Sequence, residues 1–145
     1  MVDASVAVKW FLPEDHTEAA RGLVESGSDL LSPDLVRAEV GNVMWKRWLR
    51  GEVLAESTIE ALRDLELLPL RIESSELLME TAWNVARLYG RSFYDGLYVA
   101  LAVQMGCAFV TADRKLYNAL NDSDLNEHLV WVEDLDLATE SQENA

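Results

Sequence analysis

Four carboxylates stand where acids are unusual: Asp3, Glu39, Asp95 and Asp113. Asp3 directly follows Val2, the start of a very short strand, and Asp113 follows Cys107-Ala108-Phe109-Val110-Thr111, an apolar run of the kind buried on both faces of a sheet. Ligands of open parallel sheets bind beyond the carboxyl ends of the strands, so both acids point into one crevice if those strands are neighbours. Glu39 comes three residues after Val36 and one before Val40, at the margin of a buried helical face. Asp95 lies beside Tyr94, ahead of the apolar Leu97 to Val103, in a first helical turn where a carboxylate meets the positive end of the helix dipole. Each also has an ordinary reading. Ser92-x-x-Asp95 has nearly capping-box form, Asp113 and Asp3 are good N-caps, and Glu39 could be a solvated helix-edge residue.

The set points to chemistry. Two carboxylates ~5 Å apart repel by about 3 kcal/mol at an effective dielectric of 20, so on convergence either their pKa values rise or a cation enters. All four are oxygen donors, and no His or Cys lies beside them, which suits Mg2+ or Mn2+ and disfavours zinc. A hard cation held by several carboxylates with waters retained is a phosphoryl-transfer arrangement. Other acidic α/β sites fit less well. Asp3-Ala4-Ser5 lacks the second Asp of a haloacid-dehalogenase-like phosphatase, no Gly-rich loop ends in Lys-Ser/Thr, and the late strand ends in Asp113 where a receiver domain would want a Lys.

The elements that must carry these acids alternate. After Val2, Val6 to Leu12 continues as an apolar helical turn that Pro13 breaks, and a helix over His16–Glu25 ends at Gly27. Leu30-Leu31 is a short strand, with Ser32 and Pro33 as N-cap and first position of a helix running to Arg50, its apolar face Val36, Val40, Val43, Met44 and Trp48. Ser57-Thr58-Ile59-Glu60 has capping-box spacing and opens or restarts a helix that ends before Leu67. Leu67 to Ile72 reads as a strand made irregular by Pro69. Helices are expected over Ser75–Tyr89, with Leu78, Ala82, Val85 and Leu88 inside, then over Phe93–Met105 and from Asp113 to Leu120, before a last strand Leu129–Val132. Strands alternating with helices imply a mostly parallel α/β sheet covered on both faces.

Composition narrows the classes of function. With 145 residues and 50% hydrophobic content the chain suits one domain, expected over 1–137, with 138–145 a frayed acidic tail. Twelve Lys+Arg against 26 Asp+Glu give a formal charge of -14, which excludes a simple basic coat for nucleic acid. Residues 122–145 hold eight of the acids and no Lys or Arg. Cys107 is the sole cysteine and His16 and His128 the sole histidines, leaving neither a disulfide framework nor a zinc cluster and making a reducing cytoplasm the expected setting. The N-terminus lacks the pattern of an export signal, and Leu97 to Val103 covers about a third of the ~20 residues that span a bilayer.

In order, Val2-Asp3-Ala4-Ser5, Ala38-Glu39-Val40-x-Asn42, Tyr94-Asp95-Gly96-Leu97-Tyr98-Val99-Ala100-Leu101-Ala102 and Val110-Thr111-Ala112-Asp113-Arg114-Lys115-Leu116 resemble the motifs of the PIN domain, and within it the VapC-type toxins of prokaryotic toxin–antitoxin pairs. The resemblance covers most of residues 1–132. It implies a PIN-like three-layer α/β/α sandwich and a Mg2+- or Mn2+-dependent endoribonuclease whose acidic quartet is Asp3, Glu39, Asp95 and Asp113. By the same resemblance Ser5 and Thr111 are supporting hydroxyls. Asp3 and Asp95 lead as metal ligands, Glu39 is a ligand or orienter of metal-bound water, and Asp113 is a direct or water-mediated ligand.

The resemblance further implies a homodimer and a VapB-type antitoxin whose C-terminal arm covers the cleft. Lys46, Arg47 and Arg50 follow Glu39, and Arg114 and Lys115 adjoin Asp113, so these are the candidates to meet RNA phosphates, with solvated surface as the plainer reading of each. Asn42 is a candidate to orient water or substrate. Trp10, Trp45, Trp48, Trp83, Trp131, Tyr98 and Phe109 are expected in the core or at a dimer interface, with Trp10-Phe11 the pair to test for base stacking. Two alternatives stand beside the toxin: an RNA-processing PIN nuclease without an antitoxin, and a catalytically idle PIN-like binding module.

Overall fold

A computed structural model of the chain describes residues 1–135. The expected end of the domain at 137 and the acidic tail 138–145 lie outside the described residues. Four short strands, β1 Leu30–Pro33, β2 Leu70–Glu73, β3 Phe109–Thr111 and β4 Leu129–Trp131, alternate with seven α-helices among those residues. The helices are α1 Ala4–Ala7, α2 Thr17–Glu25, α3 Leu35–Leu49, α4 Ala55–Leu67, α5 Met79–Tyr89, α6 Phe93–Met105 and α7 Arg114–Asn121.

The strands form two parallel pairs, β1 with β2 in the register Leu30↔Leu70 and β3 with β4 in the register Phe109↔Leu129. Val2 joins them. It bridges Val110 in parallel, its N–H donates to the Leu31 carbonyl at 3.0 Å, and the Val110 N–H donates to the Met1 carbonyl at 2.9 Å. Two N-terminal residues thus take the centre of one parallel arrangement, with β1 on one side and β3 on the other. Asp3 and Asp113 leave adjacent tracks at the same carboxyl edge.

Local departures from the sequence expectations have identifiable causes. Ser32 does not cap a helix, because its hydroxyl donates to the Val2 carbonyl at 2.8 Å and Pro33 is registered opposite Glu73. Helix α3 instead starts at Leu35 after Asp34, whose side chain binds Ser75. Ser57 lies inside α4, which opens at Ala55, so the capping-box spacing there is not a cap. The strand expected over Leu67 to Ile72 begins at Leu70, after Pro69, since α4 runs through Leu67. Ser75–Leu78 forms a 3-10 turn ahead of α5.

Packing centres on α6, where residues Gly96 through Ala102 are all buried. A helix apolar all round belongs in the interior, and α6 packs against α5, β1 and β3. The contact with α5 is made close by Gly96: a Cβ built there would lie 2.4 Å from the Ala82 carbonyl oxygen. Val36, Val40 and Met44 of α3 and Leu78, Ala82 and Val85 near α5 are buried, whereas Trp48 at 48% exposed and Leu88 at 66% face outward, contrary to expectation. These two lie at the C-terminal ends of their helices, on turns that no other element among the described residues buries. Trp10, Trp131, Tyr98 and Phe109 are in the core, while Trp45 and Trp83 are exposed. The Trp10 indole donates to the Ala20 carbonyl at 2.8 Å, which anchors its ring in the core.

Because Gly96 adjoins Asp95, the α5–α6 contact also sets the acid's position. Gly96→Ala is expected to destabilise the fold by about 1–3 kcal/mol, as overpacking does, measured as a lower midpoint in urea denaturation with unchanged slope.

Candidate active site

Each acid enters from a different element. Asp3 is the N-cap of α1 and is 4% exposed. Its Oδ1 accepts from Ser5 Oγ at 2.5 Å and from the Val6 N–H at 3.2 Å, and its Oδ2 accepts from Thr111 Oγ1 at 2.6 Å. The two hydroxyls are themselves anchored: Ser5 Oγ accepts from the Ala112 N–H at 2.9 Å, and Thr111 Oγ1 from the Asp113 N–H at 3.1 Å. Ser5 and Thr111 therefore stitch the turn after Val2 to the turn after β3.

Asp113 caps α7, its Oδ1 accepting from the Lys115 and Leu116 N–H groups at 3.0 and 3.2 Å. Asp95 lies in the first turn of α6, whose N-cap Ser92 accepts from the Asp95 N–H at 3.0 Å. The Asp95 carboxylate receives Arg91: Nε and Nη2 both reach Oδ2, at 3.2 and 3.1 Å. Glu39 reaches in from α3 and accepts from Tyr98 Oη through Oε2 at 2.5 Å.

These side chains line one cleft of about 290 Å³, together with Ser5, Asn42, Lys46 and Tyr98. The cap readings of Asp3 and Asp113 are realised, yet both caps also face this cleft. The electrostatics reflect convergence. Burial, with a contribution from the charge of Asp113, outweighs three hydrogen bonds and pushes the Asp3 carboxyl up to about 6. Burial also raises Glu39, joined by the charge of Asp95 and opposed by the Tyr98 hydrogen bond.

Among the described residues no three Asp, Glu, His or Cys side chains stand close enough to enclose a metal as they are placed. The reason is visible at each acid, since hydroxyls, a phenol, a guanidinium and helix amides hold them. The donor chemistry nevertheless fits a hard cation with retained waters. All donors are carboxylate oxygens, burial with a smaller contribution from neighbouring acids raises Asp3 and Glu39, and Arg91 shows a positive group already drawn to Asp95.

The basic candidates separate by their partners. Lys46 lines the cleft and makes no ion pair among the described residues. Arg47 is engaged by Glu14 at 2.5 Å and Glu52 at 2.8 Å, and Arg50 by Glu52 at 2.7 Å. Arg114 lies over the Trp131 ring, 3.6 Å from its centroid, and near Tyr117. Two site residues were missed by sequence reasoning. Arg91 stands just before Ser92, the N-cap of α6, and reaches Asp95 in the first turn, while Tyr98 is three residues after Asp95 on the same helix face. Tyr98 is in the core as expected; its hydroxyl partner was not foreseen.

The fold and site define the class: the chain belongs to the PIN-domain family, whose profile matches residues 1–120. It is 32% identical over 118 residues to a Pyrobaculum aerophilum protein named ribonuclease VapC3, covering 80% of this chain and 90% of the relative. It is 37% identical over 98 residues to ribonuclease VapC1 of Mycobacterium tuberculosis, covering 66% of this chain and 71% of that one. The crystal structure of PAE2754 from Pyrobaculum aerophilum superposes with a TM-score of 0.72 at 25% identity, over 97% of this chain and 88% of the other.

The raised Asp3 carboxyl has a testable sign. An acid whose folded-state pKa lies above its unfolded value adds stability below the unfolded pKa and loses it as pH rises through the folded one. In EDTA, the protein is expected to lose stability between about pH 4 and pH 6, by on the order of 3 kcal/mol from this group. Asp3→Asn should flatten that part of the pH profile, measured by denaturant melts across the range.

Proposed function

We propose that the protein is a Mg2+- or Mn2+-dependent endoribonuclease that hydrolyses RNA phosphodiester bonds and acts as the toxin of a toxin–antitoxin pair. The observation that carries this reading is the meeting of four carboxylates from four separate chain segments in one cleft, with Asp3 held there in spite of its burial. The relatives named as VapC ribonucleases support the choice of RNA as substrate.

Asp3, Asp95 and Asp113 would hold the cation, with Glu39 beside them as ligand or orienter of water. When bound, such an ion acidifies a coordinated water and draws charge from the phosphoryl oxygens. The chain's own residues supply the rest. Ser5 and Thr111 fix both oxygens of Asp3, and the raised Glu39 carboxyl suits acceptance of a proton from water aligned for in-line attack. Lys46 offers a charge to a neighbouring phosphate, and Asn42 an amide to water or substrate. The expected products carry a 5′-phosphate and a 3′-hydroxyl.

The same reading includes a homodimer in the cytoplasm and a VapB-type antitoxin with a basic arm over the cleft. The contact of Arg91 with Asp95 illustrates how an arriving arginine would engage these carboxylates. The formal charge of -14 favours a basic partner. Exposed Trp45, Trp48 and Leu49 on α3, and Trp83 and Leu88 on α5, offer apolar surface for protein contacts. No helix among the described residues is long and apolar enough to cross a membrane.

The test is cleavage of a small-RNA pool at fixed salt, with EDTA, Mg2+ or Mn2+, comparing the protein with Asp95→Asn. Discrete cuts that require metal and vanish in the folded variant are the expected result. Equal cleavage by both proteins would contradict the site assignment. No cleavage by either, with no Mn2+ uptake in calorimetry, would leave a PIN-like binding module as the better account.

A further inference from the structure

We propose that Tyr98 is a positioning residue of this site: its hydroxyl fixes the Glu39 carboxylate against the turn that carries Asp3 and the helix that carries Asp95. The inference rests on the nuclease reading above and assigns a role to a side chain that would otherwise count as core.

The phenol is where three acid-bearing segments meet. Tyr98 Oη donates to Glu39 Oε2 at 2.5 Å. Its ring is 2% exposed and springs from α6 one turn after Asp95, so both side chains share a helix face. Asp3 and Ala4, from the turn after Val2, line the same cleft as Tyr98, Glu39 and Asp95.

Glu39 needs such a fixture. It extends from the edge of α3 on a side chain with three rotatable bonds, and among the described residues Tyr98 is its hydrogen-bond partner. With Oε2 held, the Glu39 carboxylate keeps one orientation at the cleft it lines. Holding a reacting group in a productive pose removes a cost otherwise met at the transition state. A packing role alone does not account for the hydroxyl, because Phe would fill the same space without desolvating a polar group.

The test uses the full chain with Tyr98→Phe, Glu39→Gln and the double variant. Thermal melting, Mn2+ affinity by calorimetry, and kcat and KM on a cleaved RNA are measured for each. Tyr98→Phe is expected to melt close to wild type, keep its KM, and lose roughly tenfold or more in kcat, the size of a hydrogen bond to a charged group. In the Glu39→Gln background the same change should cost less than about twofold, because the pair acts as one unit.

A second reading is independent of activity. The NMR shift of the Tyr98 hydroxyl-bearing carbon should move in Glu39→Gln while other tyrosines stay in place. Wild-type kcat in Tyr98→Phe, full additivity in the double variant, or an unmoved Tyr98 resonance would overturn the proposal while leaving the nuclease reading intact. A wild-type protein that neither binds Mn2+ nor cuts RNA would overturn both.

Discussion

Burying one carboxylate is the constraint around which this protein is arranged. Asp3 follows a strand of minimal length, and its charge is taken out of water at the centre of the sheet. An unpaired buried carboxylate is costly, and the chain meets that cost with hydrogen bonds rather than a salt bridge. Ser5, Thr111 and the Val6 amide all donate to it. Those hydroxyls in turn accept from the amides of Ala112 and Asp113, so the solvation of Asp3 is built from the strand end that delivers the next acid. Burial still prevails, as the upward displacement of Asp3 records.

The remaining acids are restrained by different chemistry. Asp113 is tied by its helix N-terminus, Asp95 by Arg91, and Glu39 by Tyr98. Each restraint fixes an oxygen without placing a fixed cation among all four. This division explains how one cleft can gather acids yet present no three of them in ligating contact. In the proposed reading a small ion completes this arrangement. Gly96 serves it from outside, since close approach of α5 to α6 depends on the missing side chain beside Asp95.

Much of this was legible in the residues. Asp3 and Asp113 follow from strand-end positions and Glu39 and Asp95 from their places on helices, the two hydroxyls follow from the family resemblance, and α6 matches its expected span because Ser92 and Gly106 mark both ends. Other features were hidden by competition between local and tertiary preferences. Ser32 has the chemistry of a cap, but the Val2 carbonyl claims its hydroxyl. Trp48 and Leu88 continue apolar stripes past the point where a partner element covers them. Arg47 and Arg50 have the charge to meet phosphate, yet Glu14 and Glu52, distant or unremarkable in sequence, already engage them. Tyr98 was concealed because a core aromatic and a site aromatic look alike until the hydroxyl's partner is known.

The central claim, that these carboxylates form a site for one or more hard cations, is tested most directly by anomalous diffraction from crystals soaked in Mn2+. The account predicts an anomalous peak in the cleft within coordination distance of carboxylate oxygens from among Asp3, Glu39, Asp95 and Asp113, with its peak lost in Asp95→Asn crystals of the same form. A well-ordered cleft with no peak, or Mn2+ bound only elsewhere, would contradict it.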